Sequence, residues 1–89
     1  MIGKHYLVDV IASFNTEEKI KPLYLRLEDE SHNIQTVTID RIIADKEQQL
    51  AGSKMIKYYC QLSVGKESRT CELVYNVERH SWWIYNDKM

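Results

Sequence analysis

The chain has 89 residues, 44% of them apolar, with one proline and three glycines. That composition describes one globular domain over residues 1–89 and excludes a disordered or divided chain. Twelve basic residues stand against 13 acidic ones for a net charge of −1, so no global field steers the protein to nucleic acid or to an anionic membrane.

The dominant period along the chain is two, the signature of strands. Tyr6, Val8, Val10, Ala12 and Phe14 share one side of a first extended segment, with Asp9 and Ser13 on the other, although Leu7 and Ile11 blur the contrast. Asn15-Thr16-Glu17-Glu18 has capping-box spacing close ahead of Pro22, which fits a tight loop or a single turn. Leu23, Leu25 and Leu27 then alternate with Tyr24, Arg26 and Glu28, giving a half-buried strand that starts after Pro22, where proline is tolerated at a strand entry. The polar run Glu28-Asp29-Glu30-Ser31-His32-Asn33 turns the chain into a hairpin partner over residues 34–43. The acidic groups Glu17-Glu18 and Glu28 to Glu30 read as solvated faces at the two ends of the leucine strand.

After Ala44 the pattern changes. Asp45 with Gln48 three residues on, and Gly52 after Leu50-Ala51, predict a short helical turn between Asp45 and Ala51. The clearest hairpin follows: Ile56, Tyr58, Cys60, Leu62 and Val64 alternate with polar or exposed types, Gly65-Lys66 turns the chain, and Cys71, Leu73, Tyr75 and Val77 resume the apolar face. A two-residue loop pairs Cys60 with Cys71, whereas a four-residue loop pairs Leu62 with Cys71. His80-Ser81-Trp82-Trp83-Ile84-Tyr85 forms a last β-prone strand. Several short strands joined by tight turns predict an all-β, small antiparallel barrel, SH3-like or a related rolled sheet, which removes exposed strand edges.

Pro22-Leu23 with Arg26 and Glu28-Asp29, Ile39-Asp40-Arg41-Ile42, Lys54 with Tyr58 and Cys60, Gly65-Lys66-Glu67, and Trp82-Trp83-Ile84 resemble a family of short proteins of unassigned function from low-GC Gram-positive bacteria. The resemblance is carried by scattered positions through most of the chain. It implies a small β fold and a bacterial cytoplasmic setting, and it implies no activity.

Few features of the chain bear on chemistry. Apolar runs are a handful of residues long, as at Val10-Ile11-Ala12, against about 20 for a membrane-spanning helix. The first residues show no leader pattern, so a cytoplasmic protein without a membrane role is expected. Two cysteines do not make a disulfide framework, and with three scattered histidines they do not make a metal site by spacing. Cys60 and Cys71 read first as core thiols, with a labile cross-strand disulfide as the alternative. There is no nucleophile elbow, no paired catalytic carboxylates and no glycine-rich phosphate loop. The expectation is therefore a non-enzymatic protein without a cofactor.

The doublets Tyr58-Tyr59 and Trp82-Trp83 carry the functional signal, because strand alternation turns one member of each away from the core. Exposed Trp and Tyr anchor protein interfaces, and an open barrel edge can accept an added strand. The leading reading is a binding module for a protein or peptide, monomeric or homodimeric, with Lys57, Tyr59, Trp82 and Trp83 as contact residues. The alternative is single-stranded nucleic acid stacked on these aromatics beside Lys54, Lys57, Arg69 and Arg79, although Glu72 and Gln61 interrupt any basic stripe.

Overall fold

A computed structural model describes residues 4–17, 19–28 and 31–86. Six strands follow one another: β1 Lys4–Phe14, β2 Ile20–Glu28, β3 Ile34–Leu50, β4 Ser53–Val64, β5 Glu67–Asn76 and β6 Ser81–Asn86. Each pairs antiparallel with its sequence neighbour, and β6 returns to β1 to close a barrel. The all-β small barrel is thus the observed fold. Only hairpin connections are needed, which is why so short a chain without linkers can close on itself.

The core follows the strand period. Leu25, Cys60 and Leu73 are fully buried, with Val37, Tyr58, Leu62, Tyr75, Trp82 and Ile84 around them. Val8, Trp82, Tyr75 and Ile56 form one inward row across four paired strands, and the rings of Trp82 and Tyr75 stand 4.6 Å apart, with Tyr58 at 5.8 Å from Trp82. Leu7 and Ile11, the residues that blurred the first strand, lie on the outer face and are exposed. Phe14, grouped by alternation with the inward set, is also exposed, because it ends the strand beyond the packed rows.

The turns explain the punctuation of the sequence. Gly65 has φ of 62° and Val64 pairs with Glu67, so Gly65-Lys66 is a two-residue loop with its glycine where a type II′ turn needs positive φ. Cys60 therefore faces Cys71. Asn76 is buried, and its Oδ1 accepts the N–H groups of Glu78 and Arg79 at 3.1 and 3.0 Å, shaping the turn into β6. Asn15 does the same between β1 and β2, accepting from Glu17 and Lys19. The sequence readings that involve residues 1–3, Glu18, Asp29 and Glu30 lie outside the described residues.

The expected helical turn between Asp45 and Ala51 is not formed. Residues 45–50 instead continue β3 and pair with β4, from Asp45 against Tyr58 to Leu50 against Ser53. A six-residue helix would have to form its costly first turn for very few hydrogen bonds, whereas β4 offers a complete ladder. Gly52, read as a helix stop, has φ of 83° beside Ala51 at 51°, and two positive φ values in a row are what a type I′ hairpin turn requires.

Alanine is a poor fit at such a φ, since its Cβ crowds the following carbonyl. Ala51→Asn or Ala51→Gly is accordingly expected to stabilise the barrel by about 0.5–1 kcal/mol. A urea titration at neutral pH checks this.

The barrel closes unevenly, and this positions its surfaces. β2 pairs with β3 only through Tyr24 to Glu28, and β1 pairs with β6 only through Lys4 to Val8. The far half of the β1–β2 hairpin is thus paired only within itself. Leu23 is an extra residue opposite Ile11 and Ala12, a bulge next to Pro22, which has no N–H to give. Pro22 is nevertheless fully buried, and the Tyr58 hydroxyl donates to the Ile20 carbonyl at 2.6 Å, so the hairpin is held against the core where the β2–β3 ladder has ended.

Candidate functional site

Among the described residues, the strand segments that pair on one side only include residues 9–14, 20–23, 39–50 and 67–71, and the two longest differ in kind. Residues 39–50 of β3 pair only with β4. This edge carries two bulges, at Asp40 and Ile43, and a run of exposed charges in Asp40, Arg41, Asp45, Lys46 and Glu47. Asp40 also accepts a hydrogen bond from Ser63. Bulges and charges are the devices that keep an edge from accepting another strand.

The second edge, residues 9–14 of β1, pairs only with β2. Its own register is unbroken, because the bulge lies on β2, and it holds one charge, Asp9, among Val10, Ile11, Ala12 and Phe14. Along it runs an open groove of about 860 Å³ between β1 and the β5–β6 corner. Val10, Ala12 and Phe14 line one side; Tyr75, His80 and Trp82 line the other, with Asp9 and Arg26 at the rim. The far wall is braced, since Tyr75 hydroxyl and His80 Nδ1 are 3.0 Å apart and Tyr75 packs on Trp82.

The contact residues expected from the doublets divide between the two faces of the sheet. Tyr58 and Trp82 are buried, and Tyr59 and Trp83 turn outward. Trp82 therefore belongs to the core, and only its groove edge meets the surface. Lys57, Val74 and Trp83 form one outer row, and Tyr59, Glu72 and Tyr85 the next. Tyr59 is 50% exposed, while Val74 is buried under its neighbours. Lys57 Nζ lies 3.2 Å from Glu72 Oε1, so the lysine expected to meet a partner is engaged within the face. Lys54 and Arg69 likewise sit beside Glu47 and Glu67.

The sequence reading missed the β1 edge and its groove. The available signal was the pair Leu7 and Ile11, two large apolar residues at outward positions, together with Phe14 at the strand's end. No cluster of three His, Cys, Asp or Glu side chains able to hold a metal ion occurs among the described residues. The nearest approach to reactive chemistry is the Cys60–Cys71 pair, two free thiols directly opposed on β4 and β5.

Comparison with known proteins finds no matching family model, no similar curated protein and no similar solved structure.

Proposed function

We propose that this small barrel, SH3-like or of related rolled form, is a non-enzymatic cytoplasmic binding module that takes an extended protein segment by strand addition to residues 9–14 of β1. The observation that supports this reading is the contrast between the two longest open edges, those of β3 and β1. The edge on β3 is bulged and charged, and the edge on β1 is regular, apolar and bordered by a groove. Backbone hydrogen bonds along such an edge supply affinity, and side-chain pockets beside it supply specificity. Phe14, 66% exposed, is the side chain best placed to rest on an incoming strand without supporting the fold.

Selection from a displayed library of linear peptides, followed by hydrogen exchange of the complex, tests the proposal. Bound peptide is expected to slow amide exchange selectively within residues 9–14. Phe14→Ala is expected to weaken binding about tenfold, the effect of roughly 1.4 kcal/mol at an apolar contact, and to leave the urea midpoint unchanged. Protection confined to β4 and β6, or full affinity in Phe14→Ala, would refute it.

Single-stranded nucleic acid is a second reading, favoured by the direct pairing of Lys46 with Lys57 beside Tyr59 and Trp83. Phosphate contacts release counterions, so oligonucleotide binding on that face has to fall steeply with salt.

A further inference from the structure

Cys60 and Cys71 are directly opposed on β4 and β5. The two-residue loop at Gly65-Lys66 makes Val64 and Glu67 the first hydrogen-bonded pair, and every second pair after it, through Leu62 with Arg69 to Cys60 with Cys71, is of the same type. Such pairs have Cα atoms about 5.5 Å apart, inside the range of about 4.4–6.8 Å that a disulfide spans, while their Cβ atoms, also about 5.5 Å apart, stand wider than the roughly 3.5–4.5 Å of a relaxed bridge. Both side chains lie on the core side of the sheet, Cys60 in the buried cluster and Cys71 packed against it. Hence the bridge needs no sliding of one strand past the other, only a local approach of the two Cβ atoms, and the strain of that approach makes the bond readily reduced.

The two thiols are not equivalent. Cys60 is fully buried, and Cys71 is partly exposed. The hydrogen bond between them holds Cys71 below the usual thiol range, and the same bond, with burial, pushes Cys60 well above it. The partly exposed Cys71 is the member that a reagent in solution can reach, and its lowered range adds to its thiolate fraction. Neither the strand-edge groove nor the outer aromatic face makes use of this pair.

We propose that Cys60 and Cys71 are a reversible dithiol–disulfide pair, with Cys71 the thiol that attacks a low-molecular-weight disulfide and Cys60 the thiol that resolves the product. With oxidised glutathione as the disulfide, Cys71 Sγ forms a bond to one glutathione sulfur. The glutathione S–S bond breaks, and the first glutathione leaves as a thiolate that takes up a proton. Cys60, giving up its own proton, then attacks Cys71 Sγ. The mixed disulfide breaks, the Cys60–Cys71 bond forms, and the second glutathione leaves and is protonated. Two protein thiols are oxidised, and one glutathione disulfide is reduced to two thiols.

The test uses the folded chain and oxidised glutathione, followed by intact mass. Wild type is expected to lose two hydrogens with little standing adduct. Cys60→Ser is expected to stop at a single glutathione adduct on Cys71, and Cys71→Ser to react at least tenfold more slowly. Alkylation of the unmodified chain with iodoacetamide gives the same ordering without any variant, with Cys71 labelled at least tenfold faster than Cys60. A wild-type adduct that never closes, a first adduct on Cys60, or oxidation that occurs only in urea would overturn the proposal.

Discussion

Trp82→Ala is expected to destabilise the barrel by about 3–5 kcal/mol, the usual loss when a large core aromatic is truncated. Trp82 is 8% exposed, packs at a tilt on Tyr75 and stands against Tyr58, so its removal leaves a cavity bounded by two other rings that cannot collapse without losing their own contacts. Small domains carry about 5–15 kcal/mol of stability in all, and this one change removes a large part of it. Trp83→Ala and Tyr59→Ala are expected to cost about 1 kcal/mol or less, since both side chains lie on the outer face, Trp83 between Val74 and Leu7. Urea titrations of the three variants, followed by circular dichroism, measure the difference. Equal losses at positions 82 and 83 would show that the two tryptophans do not divide between core and surface as described.

The same division governs how binding experiments are to be read. A variant at Trp82 that loses a partner has lost its fold, and its result says nothing about contact. Phe14, Tyr59 and Trp83 are the positions at which loss of binding can be separated from loss of structure.

Tyr58→Phe is expected to cost about 1–3 kcal/mol at neutral pH, the penalty for leaving a partly buried acceptor without its donor. The phenol donates to the Ile20 carbonyl at 2.6 Å across the gap where β2 and β3 no longer pair, and phenylalanine keeps the ring while removing that link. The phenol is pushed up to about 12, first by burial and then by the negative charge of Asp45. Because the folded state holds this proton more tightly than the unfolded chain, whose tyrosine titrates near 10, the contribution of Tyr58 is complete below about pH 10. It is lost as pH rises from about 10 to about 12, a loss of at most about 2–3 kcal/mol. Comparing urea midpoints of the wild type and Tyr58→Phe at pH 8 and at pH 11.5 isolates this group from the other tyrosines and lysines. The gap between the two proteins is expected to narrow at the higher pH, and a constant gap would rule out proton linkage at Tyr58.

Much of this architecture was readable from period and punctuation. Alternation through Leu25 and Leu27, and through Tyr58, Cys60 and Leu62, identified inward faces that the structure retains, whereas Leu23, grouped with the leucines, is the bulged residue and Pro22 is buried beside it. The Gly65-Lys66 turn narrowed the register of β4 and β5 to two choices, of which the tighter is found. The misreading between Asp45 and Ala51 has a definite cause. A glycine at positive φ ends helices and also closes type I′ hairpins, and an Asp–Gln spacing that suits a helix cap is equally at home on an exposed strand. What settled the matter was the partner strand at residues 53–58, which local pattern does not weigh.

The candidate site was less legible than the fold. The outward placement of Tyr59, and of one tryptophan, followed from the alternation of adjacent strand positions. Which tryptophan turned inward depended on the register of β6 against both β5 and β1, and the structure chose Trp82 through its pairing with Tyr75 and Val8. The groove depended on where ladders stop, and no residue type marks that point.

The sequence by itself determined that this is a small all-β domain with alternating strands, glycine-centred turns and two cysteines on one side of a hairpin. These are properties of a residue and its near neighbours, set by backbone sterics and the two-residue period of a strand. The tertiary structure decided the closure of β6 on β1, the extension of β3 to Leu50, the burial of Trp82, and the open edge at residues 9–14. Each of these depends on pairing between segments distant along the chain, where bulges and unequal strand lengths determine which backbone groups find partners and which are left to face a groove.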